Sequence, residues 1–336
     1  MNSELLEILC CPLCYGDVVE NSRSLHCKLC AHEYPLLDGI PDMRVYESKS
    51  YTNEFNKEQA IYESVLHDQE AESDYEKNVI RTFGTKTRLM VTHWADEITS
   101  AVTPPPAILD YGCGTGQVSR VMTHYIKPLF AFDISEQSLR KCMRENGVLG
   151  VLANSLYLPF KKNAFKIVCI NGVLHHIVDL ERAVRELARV TEETIYISEG
   201  IPRGRPSFAK ITIYPGLKRK TAYFCYLVLY WFYICVGIGK RLGKKLTTIL
   251  FCLSQNHTSL HGSKYERPLN VSEVESLMIK NGFKRNRLLY YTNIDIPGDG
   301  AFKNLLTKIL VNEIVGTHFD LRMDKDFTNC VESTLC

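Results

Sequence analysis

The chain has 336 residues, of which 45% are hydrophobic, and a formal net charge of +2. That is enough apolar side chain for more than one small domain, and the near-neutral balance excludes a globally basic nucleic-acid surface, leaving only a local patch open. Met1-Asn2-Ser3-Glu4 lacks the positive segment and apolar run of a secretion signal, so the thirteen cysteines are expected as free thiols and metal ligands in a reducing cytoplasm.

Two CxxC pairs open the chain, Cys11-Pro12-Leu13-Cys14 and Cys27-Lys28-Leu29-Cys30, twelve residues apart. A two-residue spacer lets both thiolates of a tight turn face one ion, and two such knuckles complete a tetrahedral sulfur shell suited to zinc. Cys11, Cys14, Cys27 and Cys30 are the expected ligands; Cys10 is a spare. Gly16 is expected to supply the positive φ such turns often need. About forty residues build little core, so the ion is expected to supply folding energy, and four thiolates leave no open catalytic position. Together with Tyr34-Pro35-Leu36-Leu37-Asp38-Gly39-Ile40-Pro41, the segment Leu6–Cys14 resembles the Trm112-like zinc-ribbon family over residues 1–45. Members of that family are fused to methyltransferases or bind them.

Residues 46–105 are polar and acidic, with Tyr62, Val65, Leu66 and Tyr75 at helical spacing, and read as a helical linker or cap. Pro104-Pro105-Pro106 forces an extended break. Ala107-Ile108-Leu109-Asp110-Tyr111-Gly112-Cys113-Gly114-Thr115-Gly116 then runs from an apolar strand into a glycine turn, where backbone passes close under a ligand. Dinucleotide enzymes share such turns, but Gln117 stands where their third small residue belongs. Leu129–Asp133 is a second strand ending in an acid able to accept hydrogen bonds from both hydroxyls of a ribose. Further short strands end at Ala153-Asn154-Ser155 and Asn171-Gly172, a helix covers Arg182–Val190, and a fifth strand covers Thr194–Glu199. The alternation predicts an α/β fold with a doubly wound, Rossmann-like parallel sheet.

The series resembles the class I S-adenosylmethionine-dependent methyltransferases, in particular the type 11 group, over residues 80–200 and again over Asn270–Tyr291. The methyltransferase domain is expected to span 106–300. The resemblance implies that Asp110 holds the methionine amino group above Gly112, Gly114 and Gly116. It implies that Asp133 binds the ribose, Ile134 lies against the adenine, Asn154 (where the family usually has an aspartate) reads the adenine amino group with Ser155 a further donor-site residue, and Asn171 lines the methionine side. Taken singly, Asp133 also reads as a helix cap and Asn154 as a turn residue; their joint occurrence at successive strand ends points to a ligand. Thr191-Glu192-Glu193-Thr194 stands where the family has a Pro-Gly-Gly turn.

His175 and His176 follow the fourth strand, beside the expected methyl position, and are the candidate general bases for a hydroxyl acceptor. The competing reading is structural, with one ring in the core and one solvated. Glu199 is a further candidate base.

Residues 200–268 form an insertion expected to choose the substrate. Thr221–Gly239 is nineteen residues without a charge, between basic flanks. A single membrane crossing would separate the sixth strand from its sheet, so 221–245 reads as a buried lid helix or as a helix lying in a membrane interface. The tail, 301–336, is expected as a helix from Phe302 to Val315 followed by a polar end. The expected activity is S-adenosylmethionine-dependent methylation of a small, lipophilic or aromatic acceptor, a small molecule or lipid precursor, with oxygen favoured. It is placed in the cytoplasm or at the inner membrane surface. The alternative is an RNA methyltransferase that uses the ribbon to bind substrate, which the charge and the absence of an amine-binding Asn-Pro-Pro-Tyr-like motif disfavour.

Overall fold

The computed structural model describes residues 1–46, 54–72, 75–101, 107–200, 269–291 and 318–326. Met1–Gly200, Ser263–Leu289 and Phe319–Cys336 form one compact unit; Ile201–Gly262 and Tyr290–His318 form a second, nearly all of it outside the described residues.

The chain begins with helix α1 (Ser3–Ile8), whose Asn2 cap accepts the Leu5 N–H at 3.2 Å. Strands β1 (Val18–Glu20), β2 (Ser24–Cys27), β3 (Glu33–Leu37) and β4 (Ile40–Pro41) follow as an antiparallel sheet. Its two cysteine knuckles are built alike. The Tyr15 N–H donates to the Cys11 carbonyl and the Ala31 N–H to the Cys27 carbonyl, and Tyr15 and Ala31 both take φ of 58°. The positive φ therefore falls on Tyr15, not on Gly16. Gly16 is required for closeness instead: a Cβ there would come 2.7 Å from the Leu29 Cβ.

The ribbon is docked on the larger domain by backbone bonds and one aromatic anchor. Met43 N–H donates to the Leu152 carbonyl and Cys10 N–H to the Pro159 carbonyl, each at 2.9 Å. The Tyr15 hydroxyl donates to Glu186 at 2.9 Å, and the Arg189 guanidinium stacks over the Tyr15 ring at 4.4 Å. Cys10 is buried in this seam, and burial pushes its thiol up to about 11.

Helices α2 (Glu54–Glu72) and α3 (Tyr75–Ala101) lie within the stretch read as helical. The large domain then runs β5 (Ile108–Tyr111), α4 (Ser119–Met122), β6 (Leu129–Asp133), α5 (Glu136–Asn146), β7 (Leu149–Leu152) and β8 (Phe165–Asn171). A 3₁₀ turn (Leu174–His176), α6 (Leu180–Val190), β9 (Thr191–Gly200), α7 (Val271–Lys280), β10 (Phe283–Tyr291) and β11 (His318–Lys325) complete it. Strands β5 to β9 pair in parallel, and the sheet order is β10-β11-β9-β8-β5-β6-β7. Every residue of β5 and β6 is buried, as expected for strands covered on both faces. Phe132, Phe160 and Phe165 are fully buried in the core on the β6 side, where each truncation to alanine costs about 3–5 kcal/mol.

Two expectations need correction. Thr191–Thr194 is not a turn but the start of β9. The irregularity is absorbed as a register shift opposite Phe165–Ile167, and Thr191 Oγ1 bonds back to the Leu187 carbonyl at 2.7 Å. The polar end of the tail is a strand over 318–325, where β11 enters the sheet between β9 and β10, and the helix expected over Phe302–Val315 lies outside the described residues. The period there is two, with Phe319, Leu321 and Met323 fully buried between charged residues. Asp320 accepts the indole N–H of the buried Trp94 at 3.0 Å, which ties β11 to α3. Among the described residues no helix is long and apolar enough to cross a membrane; 221–245 lies outside them.

Candidate functional site

Sequence order along the sheet reverses between β5 and β8, and open parallel sheets bind ligands at the carboxyl ends of strands at such a point. The glycine turn leaves β5 there. Gly112 has φ of 63°, and a Cβ on it would come 2.7 Å from Val173 Cγ1, so the turn is pressed against the segment after β8. At Gly114 a Cβ would meet nothing within 4 Å, so this glycine faces open space.

Asp110 pairs with Ala131 across β5 and β6, so Asp133, two residues on, projects to the same face as Asp110. Asp133 Oδ2 accepts the Gly114 N–H at 2.7 Å and Oδ1 the Ser135 N–H at 2.8 Å. The carboxylate thus holds the glycine turn against the end of β6. Helix α5 is capped by Ser135, so Asp133 is not a cap. Asp110 is the more deeply placed. Its Oδ2 accepts the Ser119 N–H at 3.0 Å and hydroxyl at 2.5 Å, at the start of α4. Burial pushes Asp110 up to about 7 despite these two bonds, with the Asp133 charge adding to the rise. Burial raises Asp133 as well, against its N–H donors and the nearby His67.

Asn154 is buried just beyond β7, and its side-chain oxygen accepts the Leu156 N–H at 2.9 Å, which makes it a turn residue. Ser155 and Ile134 are half-buried beside it in sequence and across the strand ends. Asn171 ends β8 opposite Ser198 of β9.

The histidine pair is neither solvated nor merely packed. His175 Nδ1 lies 2.8 Å from Glu199 Oε2, and Glu199 Oε1 accepts the N–H groups of Val173 and Leu174 at 2.8 and 2.6 Å. Glu199 is fully buried at the end of β9, so it orients His175 instead of serving as a base itself. His176 turns the other way, towards α2, with Nδ1 3.3 Å from Glu63 Oε2. Burial, with His175 beside it, pushes His176 down to about 3.

Residues of α2 complete the site, and single-sequence reading had not found them. Gln59 brackets the turn after β8, donating to the His176 carbonyl and accepting the Val178 N–H. Ser64 donates to the Ile134 carbonyl at 3.0 Å, and Asp68 accepts from the Ser135 hydroxyl and the Gln137 N–H. The available signal was a polar stripe, Gln59, Glu63, His67 and Glu70, at helical spacing.

In the ribbon, Sγ atoms of Cys11 and Cys30 lie 3.6 Å apart and those of Cys14 and Cys27 3.5 Å apart. All four gather within 4.8 Å of one another. Zinc–sulfur bonds of about 2.3 Å in a tetrahedron put sulfurs about 3.8 Å apart, so the cluster fits a zinc ion. Backbone N–H groups of Leu29 and Cys30 point at Cys27 Sγ, and the Tyr34 hydroxyl lies 3.0 Å from Cys11 Sγ; both favour thiolates.

Comparison with known proteins gives two family matches: "Methyltransferase domain" over residues 109–195 and "Trm112p-like protein" over residues 2–39. A UPF0434 protein of Methylobacillus flagellatus is 45% identical over 51 residues, which is 15% of this chain and 85% of that protein. Human NDUFAF5, an arginine-hydroxylase, is 36% identical over 84 residues, 24% of each chain. The ubiquinone/menaquinone biosynthesis C-methyltransferase UbiE of Vibrio cholerae is 32% identical over 101 residues, 27% of this chain and 39% of that one. The chain therefore spans about a quarter of the length of NDUFAF5 and under half that of UbiE. Among solved structures, a Haloferax volcanii complex of the Trm112 activator and a methyltransferase aligns with a TM-score of 0.49 at 13% identity, covering 77% of this chain and 97% of that one.

The donor these families use fits the residues present. Gly114 leaves open a space that a side chain would fill, and two acids share the face that borders it. The sheet order is that of the class I fold, with β11 inserted beside β9. Residues 109–195 form a methyltransferase domain of the class I, S-adenosylmethionine-dependent type, and residues 2–39 a Trm112p-like zinc ribbon.

Proposed function

We propose that the protein transfers a methyl group from S-adenosylmethionine to a hydroxyl of a small, lipophilic or aromatic acceptor. The observation that carries this reading is the His175–Glu199 pair. A sulfonium methyl is already activated, so the protein's work is to align the nucleophile, exclude water and take a proton where the acceptor is a hydroxyl. With Glu199 accepting the Nδ1 proton, His175 presents a basic Nε2. A hydroxyl acceptor loses its proton as the new O–C bond forms, and His175 is placed to take it. The matched relatives are named for other chemistries, arginine hydroxylation and C-methylation; the pair favours transfer to oxygen here.

In this reading Asp133 takes the ribose hydroxyls, Asp110 the methionine ammonium, and Gly112, Gly114 and Gly116 floor the donor. Ile134 covers the adenine, Asn154 and Ser155 meet its edge, and Asn171 lines the methionine. The fully buried Glu199 keeps His175 in one tautomer, while α2, fastened by Gln59 and Ser64, keeps water from the strand ends.

The test combines calorimetry with S-adenosylhomocysteine and turnover on a panel of lipophilic phenols, with total RNA as the competing acceptor. Micromolar donor binding and phenol methylation that His175→Ala abolishes, with donor affinity intact, are expected. Methylation of RNA in place of phenols, or turnover indifferent to His175→Ala, overturns the reading.

A further inference from the structure

Helix α2 and the turn after β8 bring together three side chains that neither the donor site nor the ribbon uses. Glu63 and His67 are one helical turn apart on α2, and His176 approaches from the turn. His67 Nε2 lies 3.4 Å and His176 Nδ1 3.3 Å from the same oxygen, Glu63 Oε2. One ligand atom from each of the three lies within 4.8 Å of the others. The two rings meet edge to face, with centroids 5.1 Å apart and planes at 82°.

These separations are long for hydrogen bonds to a carboxylate, which for charged pairs run about 2.7–2.9 Å. They match the edge of a coordination shell. Metal–nitrogen and metal–oxygen bonds of about 2.1 Å at tetrahedral angles put ligand atoms about 3.4 Å apart. The surroundings are also those of a metal ligand. The other nitrogen of His67, Nδ1, lies 2.9 Å from Glu70 Oε2, so a carboxylate takes that proton and the ring offers Nε2 to the cluster. Gln59 of the same helix fixes the backbone of His176 by holding its carbonyl and the Val178 N–H. Glu63 is buried, and the two histidines are mostly so.

We propose that Glu63, His67 and His176 bind a second divalent cation of the zinc class, separate from the four-cysteine site. Two imidazoles and one carboxylate leave a fourth position for water or for an oxygen or nitrogen ligand. The His176 ring lies 4.1 Å, centroid to centroid, from that of His175, so the ion would stand beside His175. Binding would displace any proton carried by His67 Nε2. The proposal does not depend on which acceptor is methylated.

The experiment is a Co²⁺ titration of the full chain already loaded with one equivalent of zinc in its cysteine site. One further equivalent of Co²⁺ is expected, with weak visible bands and none of the intense near-ultraviolet absorption of thiolate–cobalt bonds. Glu70→Gln, which leaves all three ligands in place, is expected to weaken that binding about 10–100-fold, and His67→Ala to abolish it. Far-ultraviolet circular dichroism and the melting temperature serve as the check that the variants fold. No second equivalent in the wild-type chain, thiolate absorption on adding it, or binding unchanged in His67→Ala, would each overturn the site and leave the cluster as an ion-pair network that holds α2 down.

Discussion

Glu199 Oε2 stands 2.8 Å from His175 Nδ1, while its other oxygen holds two successive backbone N–H groups of the turn that carries the histidine. One buried carboxylate thus fixes both the path of the turn and the tautomer of the ring. Glu199→Gln separates the two tasks. The amide oxygen still accepts from Val173 and Leu174, but the amide nitrogen donates to Nδ1 and forces the proton onto Nε2, the atom needed as acceptor. The turnover number is expected to fall by about 10²–10⁴-fold, with donor affinity within a factor of two or so of wild type by calorimetry. Equal turnover in the two proteins would remove the base role from His175.

Asp133 joins the glycine turn to the end of β6 through the Gly114 N–H, and it edges the open space beside Gly114. Replacing it with alanine removes a charged acceptor from the turn and, in the proposed donor site, from the ribose. Hydrogen bonds to charged groups contribute about 1.5–3 kcal/mol each, so donor affinity is expected to fall at least about tenfold. S-adenosylhomocysteine titration of Asp133→Ala checks this, and an unchanged dissociation constant would exclude the ribose role.

The glycine turn and the acid beside it were legible in the chain because their pattern is local. A strand, its glycine turn and the acid that ends the next strand are each contained in a few consecutive residues, Ile108–Gly116 and Leu129–Asp133. Asn154 reads both ways because an amide that closes its own turn looks the same as one that meets a base. Glu63, His67 and Gln59 were not legible. Their meaning comes from α2 docking onto a turn more than a hundred residues later, and a polar stripe on an acidic helix otherwise reads as a solvated face. Strand β11 escaped notice because it returns to the sheet from beyond a long excursion, and its three apolar residues alternate with charges in an otherwise polar tail.

In the proposed donor site, Asp110 is expected to make stability and donor binding respond to pH in opposite directions. Its pKa in the fold is raised to about 7, above the ordinary carboxylate value. A raised carboxyl contributes stability that is fully present below its unfolded pKa and is lost as pH rises through the folded one. From pH 5 to pH 7 the wild type is therefore expected to lose about 2 kcal/mol relative to Asp110→Asn, which keeps an acceptor for Ser119. Urea denaturation at the two pH values measures this difference. Over the same range the ionised carboxylate becomes available to the methionine ammonium, so donor affinity is expected to rise with pH in the wild type and stay flat in Asp110→Asn. Parallel pH trends in the two proteins would mean that Asp110 is not the titrating group.

The zinc ribbon reaches the donor pocket through Arg44. Its guanidinium is clamped by Asp42, with contacts at 2.6 and 2.8 Å, and donates to the Ile134 carbonyl at 3.1 Å, one residue past Asp133. Met43, beside it, bonds to Leu152 at the end of β7, two residues before Asn154. A ribbon of this size has little core of its own, so losing the metal releases this arm together with the Tyr15–Glu186 contact. Cys27→Ser is expected to lower the melting temperature by several degrees, at about 2–4 °C per kcal/mol for a domain of this size. It should also weaken S-adenosylhomocysteine binding about tenfold, because two strand ends of the pocket lose their outer support. Arg44→Ala separates the causes: it keeps the metal and the fold and is expected to reproduce part of the affinity loss with little change in melting temperature. If Cys27→Ser melts early but binds the donor as wild type does, the ribbon is a passive staple and the connection through Ile134 is without consequence.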